Sequence, residues 1–174
     1  MEKYIWLFPI LFIFHDMEEI IGFGIWLQRN QKMLAKKYPF ILKTYEDFST
    51  EGFALAVFEE LIVCIAFSAL ALYGNAEFFK LLWLGGFIAC TLHFMVHIGQ
   101  SILVRQYIPS LITSIICLPI SIWIISECIS ISRYKIGEMV LFGLMGILVV
   151  FLNLKFAQSL IGKFTRKTGV NIHS

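Results

Sequence analysis

A group of ionisable residues lies inside the first apolar segment of the chain, in the run Phe14-His15-Asp16-Met17-Glu18-Glu19-Ile20. On an α-helix, His15, Glu18 and Glu19 occupy positions i, i+3 and i+4 and therefore share one face. A helix that spans a lipid bilayer carries such groups only where they find partners inside the protein. Later apolar segments supply four candidate partners, which are Glu59, Glu60, His93 and His97.

Imidazole and carboxylate groups on facing helices are typical ligands of transition metals. Four-helix di-iron proteins use Glu and Glu-x-x-His ligands that project into the core of a bundle. Here the order is reversed, as His15-x-x-Glu18, but the i, i+3 geometry is equivalent. The sequence therefore predicts a site for one or two divalent metal ions (Zn, Fe or Mn). The predicted metal ligands are His15, Glu18, Glu19, Glu59, His93 and His97.

The acidic residues have more than one possible role. Adjacent glutamates point about 100° apart on a helix, so Glu59 and Glu60 do not both reach one ion, and the sequence leaves open which of them is the ligand. Glu19 or Glu60 is the candidate catalytic residue, as an unligated general base. Asp16 points away from the face of His15, where it would orient a metal ligand.

The composition indicates a polytopic α-helical membrane protein. Of 174 residues, 59% are hydrophobic and 15% are charged, and the mean hydropathy is +0.81. Strands open to lipid would leave backbone groups unpaired, so helices are expected. We expect a single all-α domain, 1–174, with about five transmembrane helices near 4–27, 52–73, 79–104, 109–128 and 137–160. The four cysteines lack CxxC spacing and are expected to be buried and reduced.

Residues 28–51 are predicted to form the one long loop, which Pro39 interrupts. Apolar and basic residues alternate there, which indicates either a segment on the membrane surface or a solvated loop. One set of Lys and Arg falls at one side of the membrane: Arg29, Lys32, Lys36, Lys37, Lys43, Arg105, Lys163, Arg166 and Lys167. The other set is smaller: Lys3, Lys80, Arg133 and Lys135. By the positive-inside rule, the N-terminus is expected outside and the C-terminus in the cytoplasm.

The ionisable residues of three predicted helices fall at one depth. At 1.5 Å per residue, each group lies roughly 10–18 Å from the cytoplasmic end of its helix. A carboxylate at the centre of a membrane costs about 2.5–3.5 kcal/mol on insertion scales, and the first two helices carry five of them in this layer: Asp16, Glu18, Glu19, Glu59 and Glu60. No Lys or Arg is predicted at that depth, so either protons or a metal cation must offset their charge.

These residues resemble the HXXEE family of bacterial integral membrane proteins. The resemblance rests on His15-Asp16-Met17-Glu18-Glu19, on Ala56–Glu60, and on the stretch His93–Ser101, followed by Arg105, Tyr107 and Pro109. It runs from about Leu7 to Thr113. The family pattern has Pro-Gly where this chain has Pro109-Ser110. The resemblance implies a membrane protein suspected of being an enzyme, with no established reaction.

Two better understood families fit less well. Intramembrane proteases of the CAAX-processing type have Arg at the fourth position after a Glu-Glu pair, where this chain has Cys64. Soluble zincins use His-x-x-Glu-His or its mirror, where Glu19 replaces the final His.

We therefore expect a metal-dependent enzyme in the bacterial cytoplasmic membrane, a hydrolase or an oxidoreductase, that acts on a lipophilic small molecule near the cytoplasmic leaflet. Membrane lipid is the expected partner, and no nucleic acid is expected. The alternative is a non-enzymatic carrier of protons or metal ions that uses the same residues.

Overall fold

The computed structural model describes residues 1–132 and 134–169, and all of the regular structure in these residues is helical. A short 3-10 turn, Glu2–Tyr4, precedes six α-helices. Their bounds are α1 Leu7–Lys37, α2 Pro39–Thr44, α3 Thr50–Tyr73, α4 Glu77–Val104, α5 Leu111–Ile131 and α6 Ile136–Thr168. The all-α prediction is confirmed.

Four of these helices, α3 to α6, are long and apolar enough to cross a membrane. Five were expected. The remaining one, α1, has the necessary length, but its apolar half carries Asp16, Glu18 and Glu19. In α1 these groups turn inwards: Asp16 and Glu19 are buried, as is His15. The polar residues of α1 are therefore compatible with a spanning helix that hides them from lipid.

The prediction of a loop from residue 28 to residue 51 is wrong. Helix α1 continues to Lys37, ten residues beyond its predicted end, because residues 28–37 are mostly strong helix formers. The residue before a proline is disfavoured in the helical conformation, and α1 indeed ends immediately before Tyr38-Pro39. The short helix α2 follows and buries none of its residues. Helix α3 then begins at Thr50, capped by the Ser49 hydroxyl, which accepts from the Gly52 amide at 3.1 Å.

The two ends of the bundle differ in charge. At one end Tyr38 donates to the Leu103 carbonyl at 3.5 Å, and Ser49 Oγ lies 2.7 Å from Thr165 Oγ1. Arg166 forms an ion pair with Asp47 at the same end. These contacts place the C-terminal ends of α1, α4 and α6 and the start of α3 at the same end of the bundle. The larger set of Lys and Arg residues named in the sequence analysis therefore lies at that end. Lys80 pairs with Glu77 at the other end. Arg133 of the smaller set lies outside the described residues, and the orientation in the membrane stays a prediction.

Helix α4 is the most enclosed helix and forms the core against which α3, α5 and α6 pack. Its side chains Trp83, Phe87 and Phe94 are fully buried. Trp83 Nε1 donates to the carbonyl of Ile5 at 3.1 Å, and Ser68 Oγ of α3 donates to the same oxygen at 3.1 Å. These two bonds fix the start of α1 against α3 and α4, and so set the level at which the later residues of α1 face α4.

The four cysteines behave as expected. Cys64, Cys90, Cys117 and Cys128 are free and buried. They fill apolar space between helices as small hydrophobic side chains do.

Helices α4 and α6 touch backbone to backbone at two glycines. A Cβ atom on Gly146 would overlap the carbonyl group of Gly85, and one on Gly85 would overlap the carbonyl of Phe142. Small residues allow such close approach between helices in a membrane. One turn earlier in α6, a Cβ on Gly143 would meet no atom within 4 Å.

We predict that Gly146→Ala lowers the thermal unfolding midpoint of the detergent-solubilised protein, because the added methyl group must push α6 away from α4. The expected cost is about 1–3 kcal/mol, as for overpacking of a tight core. The matched control, Gly143→Ala, adds the same methyl group to the same helix in open space. It should leave the midpoint unchanged or raise it, since Ala favours a helix over Gly by about 1 kcal/mol. Equal effects of the two substitutions would contradict the close contact.

Candidate metal centre

Three histidines from two helices converge between α1 and α4. His93 and His97 lie one turn apart on α4, and His15 faces them from α1. Each offers one ring nitrogen, and these three atoms lie within 4.8 Å of one another. The Nε2 atoms of His93 and His97 are 2.8 Å apart. Within residues 1–132 and 134–169, this is the group of His, Cys, Asp and Glu side chains that could hold a metal ion.

The ring of His15 is held from behind by α5. Its Nδ1 lies 3.1 Å from Thr113 Oγ1 and 3.5 Å from Ser114 Oγ. The Thr113 hydroxyl donates to Glu18 Oε2 at 2.6 Å, so its oxygen is left to accept a proton from His15 Nδ1. This order of donors assigns the Nδ1–H tautomer to His15 and leaves its Nε2 with a free lone pair. His15 Nε2 is buried and has no hydrogen-bond partner among the described residues.

Glu18, a predicted ligand, is placed at the first turn of α5. One of its oxygens accepts from Tyr107 at 2.6 Å, and the other accepts from the Thr113 amide at 2.7 Å. A carboxylate at this position satisfies the free amides of a helix N-terminus and is favoured by the helix dipole. Its role as a ligand stays a prediction, and its hydrogen bonds give it a second role, which is to hold Thr113 behind His15.

Tyr107 lies in the loop between α4 and α5. Partial burial, together with the hydrogen bond that it donates to Glu18, raises the pKa of Tyr107 to about 12. Its hydroxyl therefore keeps its proton at physiological pH and stays a donor to Glu18. In the sequence, Tyr107 was notable only as one of the residues that carry the family resemblance. Its spacing from Glu18 gave no sign of this contact.

Glu19 is the carboxylate that touches the histidines. Its Oε1 lies 3.2 Å from His97 Nε2, and its side chain is buried. Together with Asp16 and Glu60 it lines a cavity of about 260 Å³ that also reaches His93 and His97. Asp16 Oδ2 is buried without a hydrogen-bond partner among the described residues. The cavity thus collects imidazoles and carboxylates from α1, α3 and α4, as their common depth had suggested.

The two adjacent glutamates of α3 differ in their relation to the histidines. Glu60 lines the cavity with His93, whereas Glu59 accepts a hydrogen bond from Asn153 of α6 at 3.3 Å. The predicted separation of about 100° between neighbours on a helix is the cause. Glu60 is therefore the member of the pair that faces the histidines. Glu59 as a metal ligand stays a prediction.

Tyr45, which follows α2, is a further residue of the site that sequence reasoning missed. It lines the cavity with Glu19, and its ring packs on Phe23 and Phe48 with centroid distances of 5.0 and 5.9 Å. Burial and the charge of Glu19 raise the pKa of Tyr45 to about 12. Its position after a proline-initiated turn gave it the appearance of a loop aromatic.

The three histidines fit the needs of a transition metal. In a tetrahedral site with metal–nitrogen bonds of about 2.0–2.1 Å, the nitrogens lie about 3.3 Å apart, a value within the 2.8 to 4.8 Å range of this group. The unpartnered Nε2 of His15 supplies one lone pair without a change of tautomer. A cation would take the place of the proton that His93 and His97 share. The hydroxyl behind His15 is the kind of partner that orients a metal-bound imidazole.

A family model described as "protein of unknown function with HXXEE motif" matches residues 6–124. The match covers α1 to α4 and most of α5, and so all three histidines, Glu18, Glu19, Glu59 and Glu60. It ends before α6. No curated protein and no solved structure matches the chain.

We predict that Thr113→Val removes the acceptor of His15 Nδ1 and lets His15 populate both neutral tautomers. The ¹⁵N shifts of histidine-labelled, metal-free protein measure this, and His15→Gln identifies the His15 signals. The lost buried hydrogen bonds should also cost about 1–3 kcal/mol in stability.

The matched control is Thr113→Ser, which keeps the hydroxyl and should keep the single Nδ1–H tautomer. If the Val variant retains that tautomer as fully as the wild type, Thr113 does not orient His15.

Proposed function

We propose that this chain, which belongs to the HXXEE-motif family of unknown function, is an integral membrane metalloenzyme that acts on a lipophilic substrate. One observation carries the proposal: ring nitrogens of His15, His93 and His97 lie within 4.8 Å of one another, beside a cavity. Three nitrogen ligands and a vacant position facing a cavity are the pattern of catalytic metal sites, whereas structural sites are closed by a fourth protein ligand.

The residues around the histidines would have distinct roles in a hydrolytic reaction. A divalent metal, when bound, acts as a Lewis acid and lowers the pKa of a coordinated water. Glu19 Oε1, 3.2 Å from His97 Nε2, is placed to accept a proton as general base. Glu60 faces the same cavity from α3 and is the second candidate for that role. Thr113 and Glu18 hold His15 in the Nδ1–H tautomer, which leaves the lone pair of Nε2 free for a metal.

An apolar vestibule supports a lipophilic substrate. A cavity of about 370 Å³ lies beneath α2, and its lining includes Trp26, Phe40 and Leu103. It shares four lining residues with the cavity of the histidines, which are Phe23, Tyr45, Gln100 and Ile108. Both cavities lie towards the more basic end of the bundle. With that end in the cytoplasm, as the positive-inside rule favours, a lipophilic molecule of the inner leaflet of a bacterial cytoplasmic membrane would enter beneath α2.

We predict that the purified protein binds about one equivalent of Zn, Fe or Mn, and that His15→Ala and His97→Ala each lower metal retention at least tenfold, since each removes a ligand. Elemental analysis after dialysis against each metal gives the content. The control, Glu77→Gln, alters an exposed carboxylate paired with Lys80 and should bind metal as the wild type does. A wild-type protein without stoichiometric metal, or a His15→Ala protein with unchanged content, would refute the metal site.

A second candidate function is the transport of protons or metal ions. Three carboxylates, Asp16, Glu19 and Glu60, line one cavity. A catalytic metal site needs fewer acidic groups than this, and the surplus favours transport. Flux of protons or Zn²⁺ into sealed vesicles that contain the protein separates the two functions. A carrier gives flux that Glu19→Gln and Glu60→Gln abolish, whereas the proposed enzyme binds metal and gives no flux above that of empty vesicles.

A further inference from the structure

A narrow apolar slot continues from the site towards the less basic end of the bundle. It has a volume of about 70 Å³ and lies where α1, α3, α4 and α6 meet. Its walls include Phe8 of α1, Phe67 of α3 and Val149 of α6. It shares Glu60, His93 and Leu154 with the cavity of the histidines. The slot is thus continuous with the proposed metal centre and extends away from the vestibule.

The polarity of the slot is arranged along its length. Its carboxylate, imidazole and amide groups belong to Glu60, His93 and Asn153, which lie at the end nearest to the site. Beyond them the lining consists of apolar and aromatic side chains, two thiols and one glycine. A ligand that fits this arrangement has one polar end and an extension without hydrogen-bonding groups, because a buried polar group without a partner is costly.

We propose that this slot binds the linear alkyl chain of the substrate, with the reactive group of the substrate at the histidines. The inference rests on the proposed function and specifies its substrate class as a single-chain amphiphile. At about 10–15 Å³ for each water-sized group, the slot holds roughly five carbon atoms.

A glycine keeps the walls of the slot apart. A Cβ atom on Gly86 of α4 would lie 3.2 Å from Phe67 and 3.4 Å from Phe8, both of which line the slot. The distance to Phe67 is tighter than an ordinary contact, so a side chain at this position would displace the Phe67 ring and alter the shape of the slot.

Helix α6 forms one wall of the slot. Val149, Val150 and Leu154 form one of its walls, yet α6 lies beyond the region that the family model matches, which ends at residue 124. The proposed ligands belong to α1 and α4, which lie within that region. Side chains of α6 therefore help to shape the slot, while the helices of the matched region hold the proposed reactive centre.

The test is the affinity of n-alkyl hydroxamates of increasing length, measured by thermal shift of Zn-loaded protein in digitonin, a steroidal detergent without an alkyl chain to occupy the slot. The hydroxamate head is a metal ligand. In the wild type the affinity should rise up to about fourfold for each methylene and become constant once the slot is full. Val149→Phe enlarges a side chain that lines the slot and should move that limit to shorter chains, whereas Val149→Ala makes the side chain smaller and should move the limit to longer chains.

The control is Leu148→Phe, which adds bulk to the neighbouring residue of α6, whose side chain is 56% exposed and points away from the slot. It should leave the chain-length limit at its wild-type value. Val63→Phe, on the α3 wall of the slot, should shorten the limit as Val149→Phe does, even if one of the two variants folds poorly. A limit that no substitution in the slot moves, or an affinity that rises with length without limit, places the alkyl chain on the outer surface of the bundle and overturns the proposal.

A second probe series separates this inference from the metal site. The n-alkanols have no strong affinity for metals, so in chelator-treated protein they report on the slot alone. If the alkanols show a chain-length limit that Val149→Phe shortens, the slot is a chain-binding site even where no metal binds. If metal binds stoichiometrically and neither series shows such a limit, the slot proposal fails and the metal centre stands.

Discussion

The burial of carboxylates and imidazoles inside a membrane protein is the constraint on which the rest of this structure depends. Lipid offers no hydrogen bonds, so each buried polar group must find its partner on another helix. Among residues 1–132 and 134–169, no lysine or arginine forms an ion pair with Asp16, Glu18 or Glu19. The partners of Glu18 are instead neutral donors on α5 and in the loop before it, and the partner of Glu19 is His97 on α4. Helix α1 is consequently fixed in rotation and depth by its polar side chains as much as by its apolar packing.

The contacts of Glu18 illustrate how this constraint shapes the site. Its carboxylate satisfies the first turn of α5, and α5 in turn presents Thr113 to His15. Glu18 thus orients His15 through Thr113, which lies on a different helix. Glu18 would therefore matter to the site whether or not it binds a metal, because His15 Nε2 keeps a free lone pair only while Nδ1 has an acceptor behind it.

The sequence predicts the layer of polar groups well, because depth along a helix follows directly from residue spacing. It brings His15, Glu19, Glu60, His93 and His97 to one level, and all of them surround one cavity or its histidine group. It does not predict the direction of Glu18, since that depends on Tyr107 and Thr113, which are distant in sequence. The prediction of a loop over residues 28–51 was wrong for a local reason. Residues 28–37 are charged but are also mostly strong helix formers, so α1 continues through them and ends only before Pro39.

The helices of the bundle differ in role: α1 and α4 carry the polar groups of the proposed site, and α6 lines the cavities mainly with apolar side chains. The difference follows from where a polar group can be buried with a partner in a membrane. The ring nitrogens that could hold a metal come from α1 and α4, which are tied together at the Ile5 carbonyl and enclosed by neighbours on several sides. Only 11% of the most apolar window of α6 is buried inside the protein, and α6 contributes mainly apolar side chains to the cavities, so these residues can change volume without leaving a buried charge unpartnered. Substitutions of the apolar α6 side chains that line the slot, such as Val149 and Val150, would alter the space available to a substrate without leaving a buried charge unpartnered. Substitutions of the polar groups in α1 and α4 would leave their partners unsatisfied, which ties the chemistry of the site to the stability of the fold.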